Sequence, residues 1–233
     1  MINAIILIAG AGTRFGSERP KQFLSVANKP LFIYTLEAFV NHHLIDAVYL
    51  VAQEEEFYFI TSELNKFKLA DDVKLIQGGK TRQASVSNAI AALEQLNTSD
   101  DDLVLIHDGA RPLVSEAIIS ENIKNADFFG ATTTAIKSRN TLATSLDDKL
   151  IYDIPDRSKY FEIQTPQTFK FEYISRAHEY ARGNNLENVS DDTQLVKAIG
   201  RPVSISEGSS LNFKITTKED LSLFEAVLKL IGK

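Results

Sequence analysis

An α/β fold with a mainly parallel central sheet flanked by helices is what this sequence predicts, and three observations predict it. Apolar runs of strand length alternate with segments of helical periodicity, the pattern of successive βα units. The first apolar run, Ala4-Ile-Ile-Leu-Ile8, turns abruptly into a glycine-rich stretch, Leu7-Ile-Ala-Gly-Ala-Gly-Thr-Arg-Phe-Gly16, that carries on to Pro20-Lys21. The length of 233 residues, with 44% hydrophobic content, suits one large α/β domain or two small ones and allows a substantial core.

In the glycine-rich stretch, Gly10, Gly12 and Gly16 lack side chains, so backbone N–H groups there can approach a ligand closely. With Arg14 and Lys21 nearby, that favours a bound phosphate. Two familiar glycine loops fail on spacing: Phe15 stands where a dinucleotide loop needs its third glycine, and no Gly-Lys-Ser/Thr follows. A glycine-rich strand-to-helix turn with solvated cations is the other reading of the loop alone.

Pro30 is placed to start a helix carrying Leu31, Tyr34, Leu36, Ala38 and Phe39. Asp46 to Ala52 reads as a continuous apolar strand, and Glu54 to Phe67 as a surface helix opening with acids, which suits the positive end of its dipole. A short strand, Val73 to Ile76, ends in Gln77-Gly-Gly79. Val86, Ala89, Ile90 and Leu93 then share one helical face, which puts Arg82 and Ser85 in the first turn, a second candidate anion site. Leu103 to Ile106 is a buried-looking strand that delivers His107-Asp108 before Gly109-Ala-Arg111-Pro112 breaks the chain. Ligands of open parallel sheets sit at the carboxyl ends of strands, so these three loops are candidates to converge.

From Ile136 to Gln164 the regularity lapses into polar, turn-rich sequence, which predicts an extended excursion outside the main sheet. Pro166 in Gln164-Thr-Pro-Gln167 fixes the return. Phe171 to Arg182 reads as a helix; Ser190 caps a second over Asp191 to Ile199, which Gly200 stops. Val203 to Ser206 and Asn212 to Ile215 are strand-like, and Thr217 starts a last helix with Leu221, Phe224, Leu228 and Ile231 on one face.

The charge balance of 25 Lys+Arg against 31 Asp+Glu, formally -6, argues against a general nucleic-acid or anionic-membrane binder and points to small-molecule partners. The absence of cysteine excludes disulfides, thiolate metal sites and a Cys nucleophile. Met1-Ile-Asn-Ala leads directly into a strand with neither a basic region nor a cleavage site, and no apolar run approaches the roughly 20 residues of a membrane span. The expected location is cytoplasmic. No internal repeat or low-complexity block stands out.

Taken in order, Ala9-Gly10-x-Gly12-Thr-Arg14-x-Gly16…Pro20-Lys21-Gln-Phe, Gly78-Gly79-x-x-Arg82-x-x-Ser85, His107-Asp108-Gly-Ala-Arg111-Pro112, Gln164-Thr165-Pro166-Gln167 and Asn212-Phe-Lys214-Ile-Thr-Thr resemble the methylerythritol-phosphate and ribitol-phosphate cytidylyltransferases. The resemblance runs the length of the chain. It implies a Rossmann-like nucleotidyltransferase fold, one domain over 1–233 with an extended dimerisation arm near 137–164, a homodimer, and transfer of CMP from CTP to a polyol phosphate with release of pyrophosphate.

It further implies Arg14, Lys21 and Lys214 as the catalytic cations, and Ala9, Gly10, Ala11, Gly12, Gly78, Gly79, Arg82, Ser85, Asp108 and Ala110 as the CTP site. Asp108 is the candidate ligand of Mg²⁺; its structural alternative is an aspartate capping the turn before Arg111. Thr141, Arg157, Thr165 and Ser190 are implied as holders of the acceptor phosphate. Such chemistry spreads negative charge over oxygens while the nucleophile is itself an anion, so positioned cations are its main demand. His107 is expected to pack at a strand end rather than act as a base, and His42, His43 and His178 to be structural or surface residues. Gly109-Ala110 and Ser190-Asp-Asp resemble the methylerythritol-phosphate enzymes, whereas Asp153-Ile-Pro-Asp-Arg157-x-x-Tyr160 leans toward the ribitol-phosphate enzymes; methylerythritol phosphate is the favoured acceptor. A non-catalytic nucleotide-binding module on the same scaffold is the alternative of another class.

Overall fold

A computed structural model describes residues 1–10, 20–187 and 189–232. Ala11, Gly12 and Arg14 of the glycine loop lie outside the described residues.

The elements run β1 (Ile2–Leu7), the two-residue strands β2 (Ser25–Val26) and β3 (Lys29–Pro30), α1 (Leu31–Val40), β4 (Ala47–Ala52), α2 (Phe57–Lys66), β5 (Val73–Gln77), α3 (Arg82–Gln95) and β6 (Leu103–Asp108). They continue with α4 (Glu116–Phe129), β7 (Ala131–Lys137), β8 (Phe161–Lys170), α5 (Phe171–Gly183), α6 (Asp192–Ala198), β9 (Ser204–Glu207) and α7 (Lys218–Leu230). Seven strands form one sheet in the order β5-β4-β1-β6-β8-β7-β9, and β2 pairs with β3 apart from it. Within the large sheet β8 alone runs antiparallel to its neighbours β6 and β7.

Alternation along β1 splits the core between the two faces of the sheet. Ala4, Ile6 and Ile8 pack under α1, α2 and α4, with Phe32, Leu36, Ile60 and Ile123, while Ile5 packs under α3, α5 and α6, with Ile90, Ile174 and Leu195. Thr81 caps α3, its side chain accepting from Ala84 N–H at 3.0 Å, and so places Arg82 and Ser85 in the first turn, as the spacing predicts. Thr217 opens α7 with a reciprocal capping box involving Asp220, and the helix seats Phe224 and Leu228 on Val26 and Leu31.

Four details differ from the sequence reading. Residues 161–164 belong to β8, paired with β7 through Lys137↔Phe161 and Ala135↔Ile163, so the excursion outside the sheet is confined to 138–160. Pro166, read as a punctuation point, lies inside β8, where a register shift against β7 between Thr133 and Ala135 accommodates a residue without an N–H. The N-cap of α6 is Asp191, whose carboxylate accepts from Thr193 N–H, while Ser190 Oγ accepts from Gln194 Nε2. Asn212–Ile215 forms no strand; its Ile215 N–H donates to Ala110 O at 2.8 Å.

α4 and β7 were not read from the sequence: on α4 the buried Asn122 interrupts Ile118, Ile119, Ile123 and Ala126, and β7 buries three threonines. Asn122 is fully buried on α4, its Nδ2 sharing two hydrogens among Thr134 Oγ1, Ser206 Oγ and Pro166 O while its Oδ1 accepts from Thr168 Oγ1. Such a residue interrupts the apolar stripe by which a helix is read.

Candidate active site

The carboxyl ends of β1, β5 and β6 open into a cavity of about 630 Å³. Ala9, Gly10, Lys21, Gly79, Arg82, Ser85, Asp108, Ala110 and Lys214, all singled out in the sequence, line it together. Two glutamines that sequence reasoning missed fix its walls. Gln22, buried directly after Lys21, donates from Nε2 to Ile8 O at 2.6 Å and to Gly10 O at 2.8 Å. Gln53 donates to Ala9 O at 3.0 Å and to Gly79 O at 3.2 Å, tying the first loop to the second. Gln22 stood in the Lys-Gln-Phe motif; nothing local flagged Gln53.

Gly78 and Gly79 are needed for close approach. A Cβ on Gly78 would lie 2.4 Å from Ala9 Cβ, and one on Gly79 would lie 2.4 Å from Ala84 Cβ and 2.8 Å from the Ala84 carbonyl carbon. Gly78 N–H donates to Ala52 O, and Gly79 N–H donates to Ser85 Oγ at 3.0 Å. Ser85 Oγ in turn donates to Thr81 O at 2.9 Å, so the hydroxyl shapes the turn at the start of α3.

Asp108 is the electrostatic centre. Its Oδ2 lies 3.0 Å from Lys214 Nζ and 3.2 Å from Arg111 Nε, and its Oδ1 lies 3.9 Å from Arg82 Nε. Burial by itself would raise this carboxyl, but Lys214, Arg82 and Arg111 outweigh it and hold it far below the usual carboxylate range. The group is therefore an anion at any physiological pH. The turn-capping alternative is partly realised, since Arg111 does bond back to Asp108, yet the carboxylate also faces the cavity.

Behind Asp108 runs a closed chain of bonds. Asp108 N–H donates to Thr165 Oγ1 at 3.0 Å, and that hydroxyl donates to His107 Nδ1 at 3.0 Å. His107 Nδ1 thus accepts, and Nε2–H donates to Arg111 O at 3.2 Å. Arg111 Nη1 reaches Asn212 O, and Asn212 Nδ2 returns to Thr165 O, both at 2.8 Å. Burial lowers the His107 pKa to about 3, against the pull of Asp108. A neutral, fully engaged imidazole packed on Phe39 is a strand-end residue and no general base.

The four residues expected to hold the acceptor phosphate are not gathered here; none lines the cavity. Thr165 is buried behind Asp108, its hydroxyl accepting from Asp108 N–H and donating to His107 Nδ1. Thr141 and Arg157 are exposed on the excursion, with Arg157 Nη1 donating to Arg139 O at 2.9 Å, and Ser190 is exposed before α6. The three-residue group His42, His43 and Glu116 brings potential ligand atoms within 4.8 Å of one another, away from this cavity. Both His42 nitrogens are already engaged, by Leu44 N–H and by Ser120 Oγ.

The 2-C-methyl-D-erythritol 4-phosphate cytidylyltransferase family model matches residues 2–230. A protein of that name from Thermosipho africanus is 45% identical over 234 residues, covering 100% of both chains, and one from Clostridium novyi is 38% identical, covering 98% of this chain and 96% of its own. Among solved structures, 4-diphosphocytidyl-2C-methyl-D-erythritol synthase from Anaerococcus prevotii superposes with a TM-score of 0.83 at 30% identity, covering 98% of this chain and 96% of that one. The 2-C-methyl-D-erythritol 4-phosphate cytidylyltransferase from Thermus thermophilus gives 0.77 at 32% identity, covering 97% and 98%.

Proposed function

The chain belongs to the 2-C-methyl-D-erythritol 4-phosphate cytidylyltransferase family, and from that premise we propose that it transfers CMP from CTP to 2-C-methyl-D-erythritol 4-phosphate, releasing pyrophosphate. The observation that carries the reading is one cavity lined by Lys21, Arg82 and Lys214 around the carboxylate of Asp108, which Arg111 pairs from outside the lining. The acceptor's phosphate oxygen attacks the α-phosphorus of CTP. A new P–O bond forms there as the bond to the bridging oxygen breaks, and pyrophosphate leaves with the electron pair. The nucleophile is already an anion, so no base is required, in keeping with a neutral His107. Lys21 and Lys214, with Arg14 from the glycine loop, offset the charge that develops on the oxygens, and Ala9, Gly10, Ala11, Gly12, Gly79, Arg82 and Ala110 shape the nucleotide side.

Asp108 fits a Mg²⁺ that arrives with the triphosphate. Mg²⁺ is commonly held by one or two carboxylates together with substrate phosphates and waters, and here one ionised carboxylate faces the cavity. The ion would neutralise charge on the phosphate oxygens and the leaving group. Until it arrives, Lys214, Arg82 and Arg111 keep Asp108 compensated.

We assign the acceptor phosphate to Arg157, Thr165, Thr141 and Ser190. The excursion that carries Arg157 exposes Leu146, Leu150, Ile151, Tyr152 and Ile154, an apolar set that a second copy of the chain would cover, making the protein a single-domain homodimer. The proposal includes a cytoplasmic location. Of the two acceptors weighed, methylerythritol phosphate is the one named by the similar proteins, and ribitol phosphate is not favoured. Incubation with CTP, Mg²⁺ and each polyol phosphate in turn, reading pyrophosphate release, tests the reading: release with ribitol phosphate only, or with neither, refutes it.

A further inference from the structure

We infer that Asp192 and His178, neither of which lines the cavity, are positioning residues that set the orientation of Arg82 at the nucleotide site. The inference rests on the reading of Arg82 as a CTP contact. Asp192 opens α6 and has no exposed surface. Its Oδ2 accepts from Arg82 Nη1 at 2.6 Å and its Oδ1 from His178 Nε2 at 3.1 Å, so the carboxylate is gripped on both oxygens. His178 is itself buried, on α5. Arg82 is the first residue of α3, and its Nε faces Asp108 Oδ1. One guanidinium therefore spans two carboxylates, with one end tied behind the site and the rest presented to the cavity.

The tie is poorly explained as a device for stability. A buried ion pair gains little over apolar side chains of similar volume, and α5 and α6 already cover the sheet with Ile174, Ala177, Leu195 and Val196. What a carboxylate at this point does provide is direction, because a planar guanidinium bonded along one edge has its other donors aimed. Asp192 is in turn held by its neighbour: Asp191 Oδ1 accepts from Thr193 N–H at 2.8 Å, and its Oδ2 accepts from Gln167 Nε2 on β8. Two residues before Asp192 stands Ser190, assigned to the acceptor. A three-residue span thus joins the acceptor side to a cation of the nucleotide side.

A double-mutant cycle with Asp192→Asn and Arg82→Gln tests this, read as CTP affinity by calorimetry and as kcat/KM for CTP. Asp192→Asn alone should weaken both by roughly 10- to 100-fold, the scale of misplacing a contact by about an ångström. Added to Arg82→Gln it should cost nothing further, because there is no guanidinium left to aim. Losses that multiply overturn the inference, as does an unchanged CTP affinity in Asp192→Asn. If Asp192→Asn does not fold, His178 decides: His178→Gln, which keeps a donor to the carboxylate, should retain CTP affinity that His178→Leu loses, and equal affinity in the two overturns the inference. Wild-type protein that binds CTP but makes no product fails the proposed function alone, since the binding cycle remains readable.

Discussion

Asp108 and His107 are adjacent and buried, and both are held deprotonated, one as an anion and one as a neutral imidazole, so stability should record both. His107 is neutral in the fold with a pKa of about 3, whereas an unfolded histidine titrates near 6.5. Between those values the unfolded chain binds a proton that the native state refuses, so stability falls as pH drops below about 6.5. By about pH 4 the loss should reach ~3 kcal/mol from His107, with His42, also lowered by burial, adding in the same direction. Asp108, depressed by its three cations, adds a further loss only below about pH 4, where an unfolded aspartate protonates first. Chemical denaturation across this range should give a wild-type slope that His107→Gln flattens above pH 4; a wild type equally stable at both ends contradicts the buried neutral imidazole. For the cations, Lys21→Ala and Arg14→Ala should fold normally and, like Lys214→Ala, lose kcat by a factor on the order of 10² to 10³, as when one preorganised donor is removed. A loss confined to KM would mean ordinary ground-state binding instead.

At the scale of elements, the start of α3 is where local sequence and site geometry meet. Thr81 caps the helix, Ser85 takes the Gly79 N–H, and Gly79 itself lies too close to Ala84 for any side chain. Gly79→Ala would push against helix backbone, which cannot yield as a long side chain could. The expected cost is ~1 to 3 kcal/mol, of the order seen when extra atoms are forced into a packed region, with a raised KM for CTP because Arg82 follows three residues later. Thermal unfolding and steady-state kinetics on the same preparation check both parts. An unchanged melting temperature would show that the turn relaxes without moving α3.

The whole molecule enters through the excursion 138–160. It holds one isolated β-bridge, Thr144↔Asp153, and leaves its large apolar side chains in the open, a state that a second subunit would remedy. Arg157 lies outside the cavity of its own chain, so the proposed homodimer is expected to supply it from the neighbour. Arg157→Ala should raise KM for the polyol phosphate and leave CTP affinity nearly unchanged. Mixed with Lys21→Ala, it should recover activity, since a dimer with shared sites regains one site having both wild-type groups. A monomer in solution at assay concentration, or no recovery after subunits exchange, would count against a shared site.

The sequence by itself determined the half of this protein in which burial is apolar. In the main sheet β1, β4, β5 and β6 are runs such as Ala47–Ala52 and the helices between them carry apolar stripes, so their alternation and order could be read, and with them many of the residues that line the cavity. Residues that act by local rule were legible for the same reason: Arg82 and Ser85 follow from the position of a helix start. Only the tertiary structure decided the other half. Around β7, β8 and β9 the interior is built from Asn122, Thr132, Thr133, Thr134, Gln167, Thr168 and Ser206, whose burial is made acceptable by bonds to one another across long separations in sequence. No periodicity announces such a core, because a threonine or glutamine looks the same on a surface until its partner is known. The bonds of Gln22 and Gln53, and those that join His178 to Asp192 and Thr165 to His107, could not be read on that account, since hydrogen-bond partners are a property of the folded chain alone.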